Sequence, residues 1–324
     1  LFTSKSPLNV RGFIGEILEF KAIAIDNMKI IITGASGFVG KNLVRIFQQN
    51  GDEVLTLSLR KEKWQLPTAT ALIHLAGIEK DTGTASNHDE YFQVNSYLTK
   101  KVFQQFLASD INDFIFVSSI KAAADSSEHI VTEEETPNPL SPYGKSKLLA
   151  EELISKYDLP SDKRLIIIRP CLIHGPEDTG NLKLLYKIAQ KGIPYPLGGF
   201  TNQRSYISID NLGFLLSEIF KKSDFKSGIY NVADDQSLST NKLIEIMYGT
   251  LGKKAKIINL PVAPINFVAN VFSKIGLKFI KEKLNKLTDS FIVSNAKIKK
   301  ELGIEKLPLS AEEGLKKTIK SFQK

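Results

Sequence analysis

The sequence predicts an α/β protein in which a doubly wound parallel sheet is followed by a smaller, mostly helical C-terminal lobe. Three observations support this prediction. Apolar runs of strand length alternate with helical stretches from residue 28 to about residue 175, a glycine-rich turn follows the first run, and the alternation loosens after Pro170. Strands that alternate with helices form parallel sheets with right-handed crossovers. The 324 residues are 42% hydrophobic and 24% charged, which is ordinary for a protein with a sizeable core.

The strands and helices are predicted from the period of their apolar residues and from the residues that end them. The first apolar run, Lys29–Thr33, ends in the glycine turn, and Asn50-Gly51 stops the helix that follows. Further strands are predicted at 53–59, 70–75, 114–117 and 164–169, and helices at 41–49, 89–109 and 142–157. Beyond the fifth strand the sequence predicts one helix within 176–199, a strand at 229–232 and a helix-rich remainder.

Three glycines lie between the first strand and the first helix, at positions 34, 37 and 40. In this context one glycine permits a tight turn, one lets backbone amides approach a pyrophosphate, and one allows close helix–strand packing. The helix N-terminus offers partial positive charge to the phosphates. A nucleotide-triphosphatase loop is disfavoured, because Asn42 stands where Ser or Thr would coordinate magnesium. The loop therefore predicts a dinucleotide cofactor, cradled by Gly34, Ser36, Gly37, Phe38 and Val39.

The end of the second predicted strand bears on the choice of cofactor. NAD enzymes usually place Asp or Glu there to hold the ribose hydroxyls. Here the position is Ser58, and Arg60 follows two residues later. No carboxylate would repel a 2′-phosphate, and a guanidinium could bind one. NADP is therefore favoured over NAD, with NAD or mixed use left open.

A tyrosine and a lysine, Tyr143 and Lys147, lie four residues apart and share one face of a predicted helix. Hydride transfer at an alcohol carbon requires a proton to move at the oxygen, and an unperturbed tyrosine, with a pKa of about 10, is a poor base. A nearby ammonium is expected to lower that pKa, so the tyrosine can act as acid or base. Ser119, at the end of the preceding strand, could hydrogen-bond the reacting oxygen. These three residues are the predicted catalytic group.

Composition argues against several other classes of protein. The net charge of +8 is spread over many segments, so we interpret it as a solvated basic surface and not as a nucleic-acid site. One cysteine excludes a disulfide framework and a cysteine-based zinc site, and no metal site is predicted. No apolar run approaches the roughly twenty residues that span a bilayer. The stretch 264–280 is amphipathic and basic, which suggests either a membrane surface or a core-facing helix, and the helical spacing of its apolar residues (Phe267, Val268, Val271, Phe272 and Ile275) favours the core.

Several motifs in a fixed order resemble one family. They are TGASGFVG (33–40), LIHLAG (72–77), FIFVSSIK (114–121), SPYGKSK (141–147), IRPCLIHGP (168–176) and RSYISID (204–210). From Met28 nearly to its end, the chain resembles an extended short-chain dehydrogenase/reductase of the nucleotide-sugar epimerase/dehydratase family. The resemblance implies a Rossmann-type NAD(P)-binding domain at 28–175, to which a strand near 229–233 returns, and a substrate-binding lobe at 176–324. Residues 1–27, which precede Met28, are interpreted as an N-terminal extension outside the fold.

The resemblance also assigns roles to individual residues. Tyr143 matches the family's catalytic base, Lys147 its partner and Ser119 its Ser or Thr. Three residues match the strand end that lies along the cofactor: Leu75, Ala76 and Gly77. Pro170 matches the residue near the nicotinamide, and Asn181 and Arg204 match positions that contact the diphosphate of the substrate. A guanidinium suits this last role because it binds phosphate through two parallel hydrogen bonds.

Departures from the family pattern are informative. Family dehydratases carry Asp-Glu after the catalytic Thr, and Ile120-Lys121 stands there instead, which disfavours dehydration. Lys121 is predicted either to reach the sugar or a phosphate or to be a solvated lysine. His174 replaces the more usual tyrosine and is expected to be a packed ring, and Cys171 is expected to be a small buried residue.

The leading prediction is a cytoplasmic NAD(P)-dependent oxidoreductase that acts at C4 of a nucleotide-linked hexose. A UDP-sugar 4-ketoreductase would release its oxidised cofactor, whereas a UDP-hexose 4-epimerase would keep NAD and return the hydride to the other face. The SSIK segment resembles reductases of UDP-4-keto-6-deoxy-N-acetylhexosamines, which implies surface polysaccharide synthesis. A non-catalytic NADP-binding regulator is a third alternative. The resemblance implies a homodimer formed through two helices of each subunit.

Overall fold

The computed structural model describes residues 27–61, 63–79, 88–178, 180–274 and 287–323, together with residues 277, 281, 284 and 285. The predicted extension at 1–27 therefore lies outside the described residues, apart from its last residue. Within the described part, the strands predicted in the first half of the sequence are present, and they are joined by helical crossovers.

The main sheet has six strands, all parallel, in the order β2-β1-β3-β4-β5-β8. The strand order reverses between β1 and β3, which is the point where doubly wound sheets open a crevice beyond the carboxyl ends of their strands. In register, Thr33 at the end of β1 pairs with Leu57 on one side and His74 on the other. The strands are β1 (Lys29–Thr33), β2 (Glu53–Leu57), β3 (Ala71–His74), β4 (Asp113–Val117), β5 (Arg164–Pro170), β6 (Leu172–His174), β7 (Tyr206–Ser208) and β8 (Gly228–Val232).

Helices cover both faces of the main sheet, which confirms the predicted fold class. On one face the core contains Ile30, Leu43 and Leu212, and on the other it contains Phe103 and Phe114. The α-helices are α1 (Phe38–Gln49), α2 (His88–Tyr91), α3 (Leu98–Leu107), α4 (Pro142–Ser155), α5 (Asn181–Gln190), α6 (Ile209–Lys221), α7 (Thr240–Thr250), α8 (Val262–Lys274), α9 (Ala296–Leu302) and α10 (Ala311–Ser321). A π-helical segment (Phe92–Tyr97) joins α2 to α3, so the predicted helix at 89–109 is interrupted.

A second core supports the C-terminal lobe. Its buried side chains come from α5, α7 and α10 and include Leu185, Met247 and Leu315. A two-stranded parallel sheet, β6 and β7, lies beside it and was not predicted. His174, on β6, is fully buried, and its Nδ1 lies 2.9 Å from Thr318 Oγ1 on α10. His174 is therefore a packed ring, as expected, and Cys171 is buried as well.

The prediction that the apolar residues of α8 face the core is wrong for three of them. Phe267 is 69% exposed, Val268 49% and Val271 44%, whereas Ala269 on the opposite side is buried. Helical spacing cannot tell which side packs when both sides are apolar, and this is the physical reason for the error. No helix in the described part of the chain is long and apolar enough to cross a membrane.

Candidate active site

The glycine loop forms a tight turn between β1 and α1. Gly34 has φ +70°, and a Cβ there would lie 2.7 Å from the backbone nitrogen of Ala76, so only glycine fits. A Cβ on Gly40 would lie 2.4 Å from the carbonyl oxygen of Gly34, which explains the close packing of α1 on the loop. Gly37 caps α1 without a side-chain hydrogen bond, and the first turn has no acidic residue. The first amides of α1 are therefore not capped by a side chain, and the loop fits a dinucleotide pyrophosphate.

The predicted ribose-binding residues follow β2. Ser58 and Arg60 are both exposed, and β2 ends at Leu57, which pairs with Thr33 immediately before the glycine loop. Their position beside the loop is compatible with binding the adenosine ribose or its 2′-phosphate. Their assignment remains a prediction.

Thr33 connects the glycine loop to the end of β3. Its Oγ1 accepts hydrogen bonds from the backbone nitrogens of Leu75 and Ala76, at 3.2 and 3.3 Å. The same hydroxyl lies 2.8 Å from Nδ1 of His74, while Nε2 of His74 lies 2.9 Å from Oγ1 of Thr99. Thr99 donates its proton to the carbonyl of Asn95, so the hydrogen bonds assign the His74 proton to Nε2. Burial, followed by the charge of Lys147, lowers the pKa of His74 to about 3, so the ring is neutral.

The catalytic candidates converge beyond the carboxyl ends of β3 and β4. Lys147 is buried, and its Nζ donates to the carbonyl of Val117 at 3.1 Å. A Cβ on Gly77 would lie 3.5 Å from that Nζ, so the predicted strand end borders the lysine directly. Burial lowers the pKa of Lys147 to about 8, opposed by Glu151 and Glu79.

The expected lowering of the Tyr143 pKa is not found. Burial raises the pKa of Tyr143 above its usual value, the charge of Glu79 raises it further, and hydrogen bonding with Ser119 acts in the opposite direction. The sequence prediction considered only the ammonium of Lys147 and omitted the loss of solvent around the phenol, which disfavours the phenolate. Tyr143 is therefore a protonated acid in this arrangement.

Ser119 and Lys121 complete the group around the tyrosine. Ser119 begins a 3₁₀ turn (Ile120–Ala122), and its Oγ accepts a hydrogen bond from the backbone nitrogen of Lys121 at 3.2 Å. The Nζ of Lys121 lies 5.9 Å from the centre of the Tyr143 ring. The structure thus places Lys121 beside Tyr143, where its ammonium could bind a phosphate or hydroxyl of the substrate.

A buried charge network behind this group was missed by the sequence reasoning. Glu151, one helical turn beyond Lys147, accepts hydrogen bonds from Ser118 Oγ and from Arg169 Nη2, each at 2.5 Å. Both members of the Glu151–Arg169 ion pair are 2% exposed. The signal available in the sequence was the i, i+4 spacing of Lys147 and Glu151 on α4.

Asn95, in the π-helical segment, was also missed. Its Oδ1 accepts from the backbone nitrogen of Ile78 at 2.8 Å, and its Nδ2 donates to the carbonyl of Ile78 and to Ser146 Oγ, at 2.9 and 3.0 Å. A Cβ on Gly77 would lie 2.9 Å from the Oδ1. Asn95 therefore fixes the chain that follows β3 against the start of α4. The signal was a cluster of poor helix formers, Asn95, Ser96 and Thr99, within a predicted helical stretch.

The predicted substrate residues lie in the C-terminal lobe. Asn181 begins α5, and the main chain of Arg204 forms bridges with Leu238 and Phe291. The guanidinium of Arg204 donates to the carbonyl of Asp289 at 3.2 Å. Pro170 ends β5, paired with Val232 of β8. That these residues contact the cofactor or the substrate remains a prediction.

One carboxylate acts electrostatically on both parts of the site. Glu79, in the segment after β3, raises the pKa of Tyr143 and also that of the buried Asp178, which precedes α5. Burial is the larger cause of the Asp178 shift. The charge of Glu79 therefore disfavours the ionised forms of both Tyr143 and Asp178.

Comparison with known proteins identifies the family of the chain. A model of the NAD dependent epimerase/dehydratase family matches residues 30–233. The chain belongs to this family. It is thus an enzyme of an NAD-dependent family, and the predicted family and the prediction of an enzyme are both confirmed.

Similar proteins share nearly the whole length of this epimerase/dehydratase-family chain. A UDP-glucose 4-epimerase of Vibrio cholerae is 27% identical over 320 residues, which cover 90% of this chain and 95% of that protein. An N-acetyl-α-D-glucosaminyl-diphospho-ditrans,octacis-undecaprenol 4-epimerase of Escherichia coli O157:H7 is 27% identical over 296 residues, 85% of each. A structure of UDP-glucuronic acid 4-epimerase from Bacillus cereus in complex with NAD has the same fold, with a TM-score of 0.70, 19% identity, and coverage of 91% of this chain and 99% of that one.

Proposed function

We propose that this enzyme transfers a hydride at C4 of a hexose that is linked to a nucleotide diphosphate, and that its net reaction is reduction of a 4-ketone. The observation that carries the proposal is the convergence of Tyr143, Ser119 and Lys147 at the carboxyl edge of the sheet. The relatives named above are 4-epimerases of diphosphate-linked sugars, and their reaction involves the same carbon. An epimerase that retains NAD is the second candidate, supported by these names.

In the proposed reduction, each residue acts at the C4 oxygen. The reduced nicotinamide cofactor supplies the hydride that C4 accepts. Tyr143 donates its phenolic proton to the oxygen as negative charge develops there, and its raised pKa keeps that proton available at neutral pH. Ser119 hydrogen-bonds the same oxygen. Lys147, anchored on the carbonyl of Val117, orients the cofactor ribose and supplies positive charge.

We infer that three cationic or polar residues hold the substrate diphosphate and sugar. Arg204 and Asn181 bind the diphosphate, and Lys121, which lies beside the Tyr143 ring, meets the sugar or a phosphate. Ser58 and Arg60 favour NADP, because the residue directly after β2 is a serine and not the Asp or Glu that usually holds the ribose hydroxyls of NAD. We further propose that the enzyme is a homodimer in the cytoplasm and supplies precursors of surface polysaccharides.

The proposal is tested by incubating the purified enzyme with UDP-sugars and UDP-4-keto-6-deoxysugars and with each reduced or oxidised cofactor. Net reduction consumes reduced nicotinamide in proportion to product, as followed by its absorbance. Epimerisation changes the sugar without net consumption. Turnover of neither class of substrate would contradict the proposal.

Tyr143→Phe is expected to lower kcat by a factor of about 10² to 10⁴, since general acid catalysis contributes that much. Tyr97→Phe, at a tyrosine that is 44% exposed, is the matched control and should leave kcat unchanged. Cofactor binding, measured by fluorescence of the reduced nicotinamide, should survive in both variants. Undiminished turnover by the Tyr143 variant would contradict the catalytic role of this tyrosine, whereas a wild-type chain that binds the cofactor without any turnover would favour the non-catalytic NADP-binding regulator.

A further inference from the structure

The outward side of α8 is apolar and exposed. It consists of Ala263, Pro264, Phe267, Val268 and Val271, and is called the α8 face below. Residues three, four and seven positions apart lie on one side of a helix, so these side chains form a single surface. None of the large apolar side chains that the structure describes is more exposed than Phe267, at 69%.

The opposite side of the same helix already packs on the lobe. Ala269 is buried, and Ile265 and Phe272 are half-buried. Val262, Asn266 and Ala269 line a cavity of about 380 Å³, whose lining also includes Asp289, the residue whose carbonyl accepts from Arg204. The helix is therefore apolar on both sides, and packing within one chain accounts for only one of them. Asn266 and Asn270, both exposed, lie between the two apolar sides along one edge of the helix, and a contiguous apolar patch left exposed on a protein surface marks an interaction site.

Charge indicates what covers the α8 face. Residues 262–273 carry no charged side chain, and α8 ends at the exposed Lys274. From residue 274 to residue 286 the sequence has five lysines and a single acidic residue, Glu282, and the whole chain has a net charge of +8. An uncharged apolar helix side that ends at an exposed lysine, on a chain of net positive charge, matches a lipid surface with anionic headgroups, where the apolar groups enter the acyl boundary and the ammonium group meets the phosphates.

A second copy of the chain fits this surface less well. Two identical faces would meet across a two-fold axis, and residues 262–274 of each copy offer no acidic side chain to complement Lys274 of the other. Juxtaposed like charges disfavour such an interface. An anionic lipid surface has a charge opposite to that of Lys274, and it does not require a complementary protein surface.

We propose that the α8 face docks this enzyme on an anionic membrane surface. Phe267, Val268 and Val271 enter the boundary between headgroups and acyl chains, and Lys274 contacts the lipid phosphates. The attachment is peripheral and reversible, because one short helix side is involved. It is independent of the sugar on which the enzyme acts, so it stands or fails separately from the proposed reaction.

The test is co-sedimentation of the full chain with vesicles of phosphatidylcholine alone and with vesicles that also contain phosphatidylglycerol. Binding is expected to the anionic vesicles and to decrease with added salt. The variant Phe267→Ser/Val271→Ser should lower the vesicle partition coefficient at least about tenfold, because two apolar side chains no longer enter the bilayer. Lys274→Glu should lower it as well.

Leu140→Ser is the matched control, since Leu140 is 68% exposed and lies outside α8. It should leave vesicle binding unchanged, and circular dichroism should confirm that each variant is folded. The proposal is overturned if the wild-type chain does not bind anionic vesicles, or if the α8 variant binds them as well as the wild type does. Sedimentation velocity adds a third such outcome: a change from dimer to monomer in the α8 variant would show that a second copy covers this face.

Discussion

Loss of solvent governs the proton chemistry of the two central residues. It raises the pKa of Tyr143 and lowers that of Lys147 to about 8, because burial disfavours the charged form of each. The tyrosine is therefore a proton donor at neutral pH, and the lysine is a cation whose charge is lost in mildly alkaline solution. This combination suits a reaction in which a ketone is reduced and its oxygen is protonated to a hydroxyl.

The pH dependence of the proposed reduction follows from Lys147. Below about pH 8 the side chain is an ammonium, and above it the charge is lost, so kcat/KM is expected to fall as the pH rises through about 8. Tyr143 remains protonated over this range because its pKa is raised. The measurement is a kcat/KM profile from about pH 6 to about pH 10.

Lys147→Arg is the control, since an arginine stays charged throughout this range. Its activity should be lower, because the guanidinium does not reproduce the contact with Val117, but the alkaline fall should disappear. A wild-type profile that stays level through this range would contradict the assigned role of Lys147.

The cofactor prediction depends on one exposed side chain. Arg60→Ala is expected to raise KM for NADPH about tenfold and to leave KM for NADH unchanged, because only NADPH offers a 2′-phosphate to the guanidinium. Lys63→Ala, which removes the same charge three residues later, should have little effect on either value. Equal changes for both cofactors would contradict the assignment.

At the scale of elements, one side of helix α4 bears both the proposed catalytic residues and a residue of the buried ion pair behind them. Tyr143, Lys147 and Glu151 follow one another at four-residue spacing, so the helix presents two residues to the site and a third to Arg169 on β5. The helix is fixed at its start by Ser141, which accepts from the backbone nitrogen of Gly144 and donates to Asp125. The catalytic segment is thereby held to Asp125 at its start and to β5 at its end.

Breaking the buried ion pair should cost much of the stability. Glu151→Gln leaves Arg169 buried without a counter-charge and is expected to lower the free energy of unfolding by about 3–5 kcal/mol, measured by urea denaturation. Glu53→Gln, in the exposed pair with Lys29, should cost less than about 1 kcal/mol. Because Glu151 raises the pKa of Lys147, the variant should also move the alkaline fall in kcat/KM to lower pH. Unchanged stability and pH profile would show that the pair is not coupled to the site.

The sequence predicts those elements whose formation depends mainly on neighbouring residues. β1 and β5 were predicted because each is a continuous β-branched or aliphatic run next to a glycine or proline. β6 and β7 have three residues each, too few for a period, and they form only because distant segments pair. The contacts of Asn95 were missed for a similar reason, since they depend on where the segment crosses α4.

At the scale of the whole molecule, the chain does not divide cleanly at the predicted domain boundary after residue 175, because later elements return to the first half. After β6, the chain forms α6, where a Cβ on Gly213 would meet Ile46 of α1 at 3.0 Å, and then β8, which pairs with β5. The sequence predicted the returning strand but not helix α6 before it. That α6 packs against the first half is visible only from the surface that it covers in the folded chain. Nor could the sequence show that one apolar side of α8 is left uncovered.

A fragment containing residues 28–175 alone is expected not to fold. It lacks β8, which pairs with five of the seven residues of β5, and it lacks α6, which covers part of the sheet core. The fragment 28–233 restores both and is the matched comparison. The measurement is urea unfolding followed by circular dichroism, and a cooperative transition in the shorter fragment would contradict the prediction.

The late return of β8 also has a consequence for synthesis on the ribosome. β5 ends at Pro170 and its partner begins at Gly228, so about 60 residues must be made before the strand is paired on both sides. At translation rates of roughly 5–20 residues per second, the unpaired edge of β5 stays open for several seconds. An exposed apolar edge strand is a template for misassembly. We therefore expect the nascent chain to be most prone to aggregation during the interval in which β5 has been made and β8 has not.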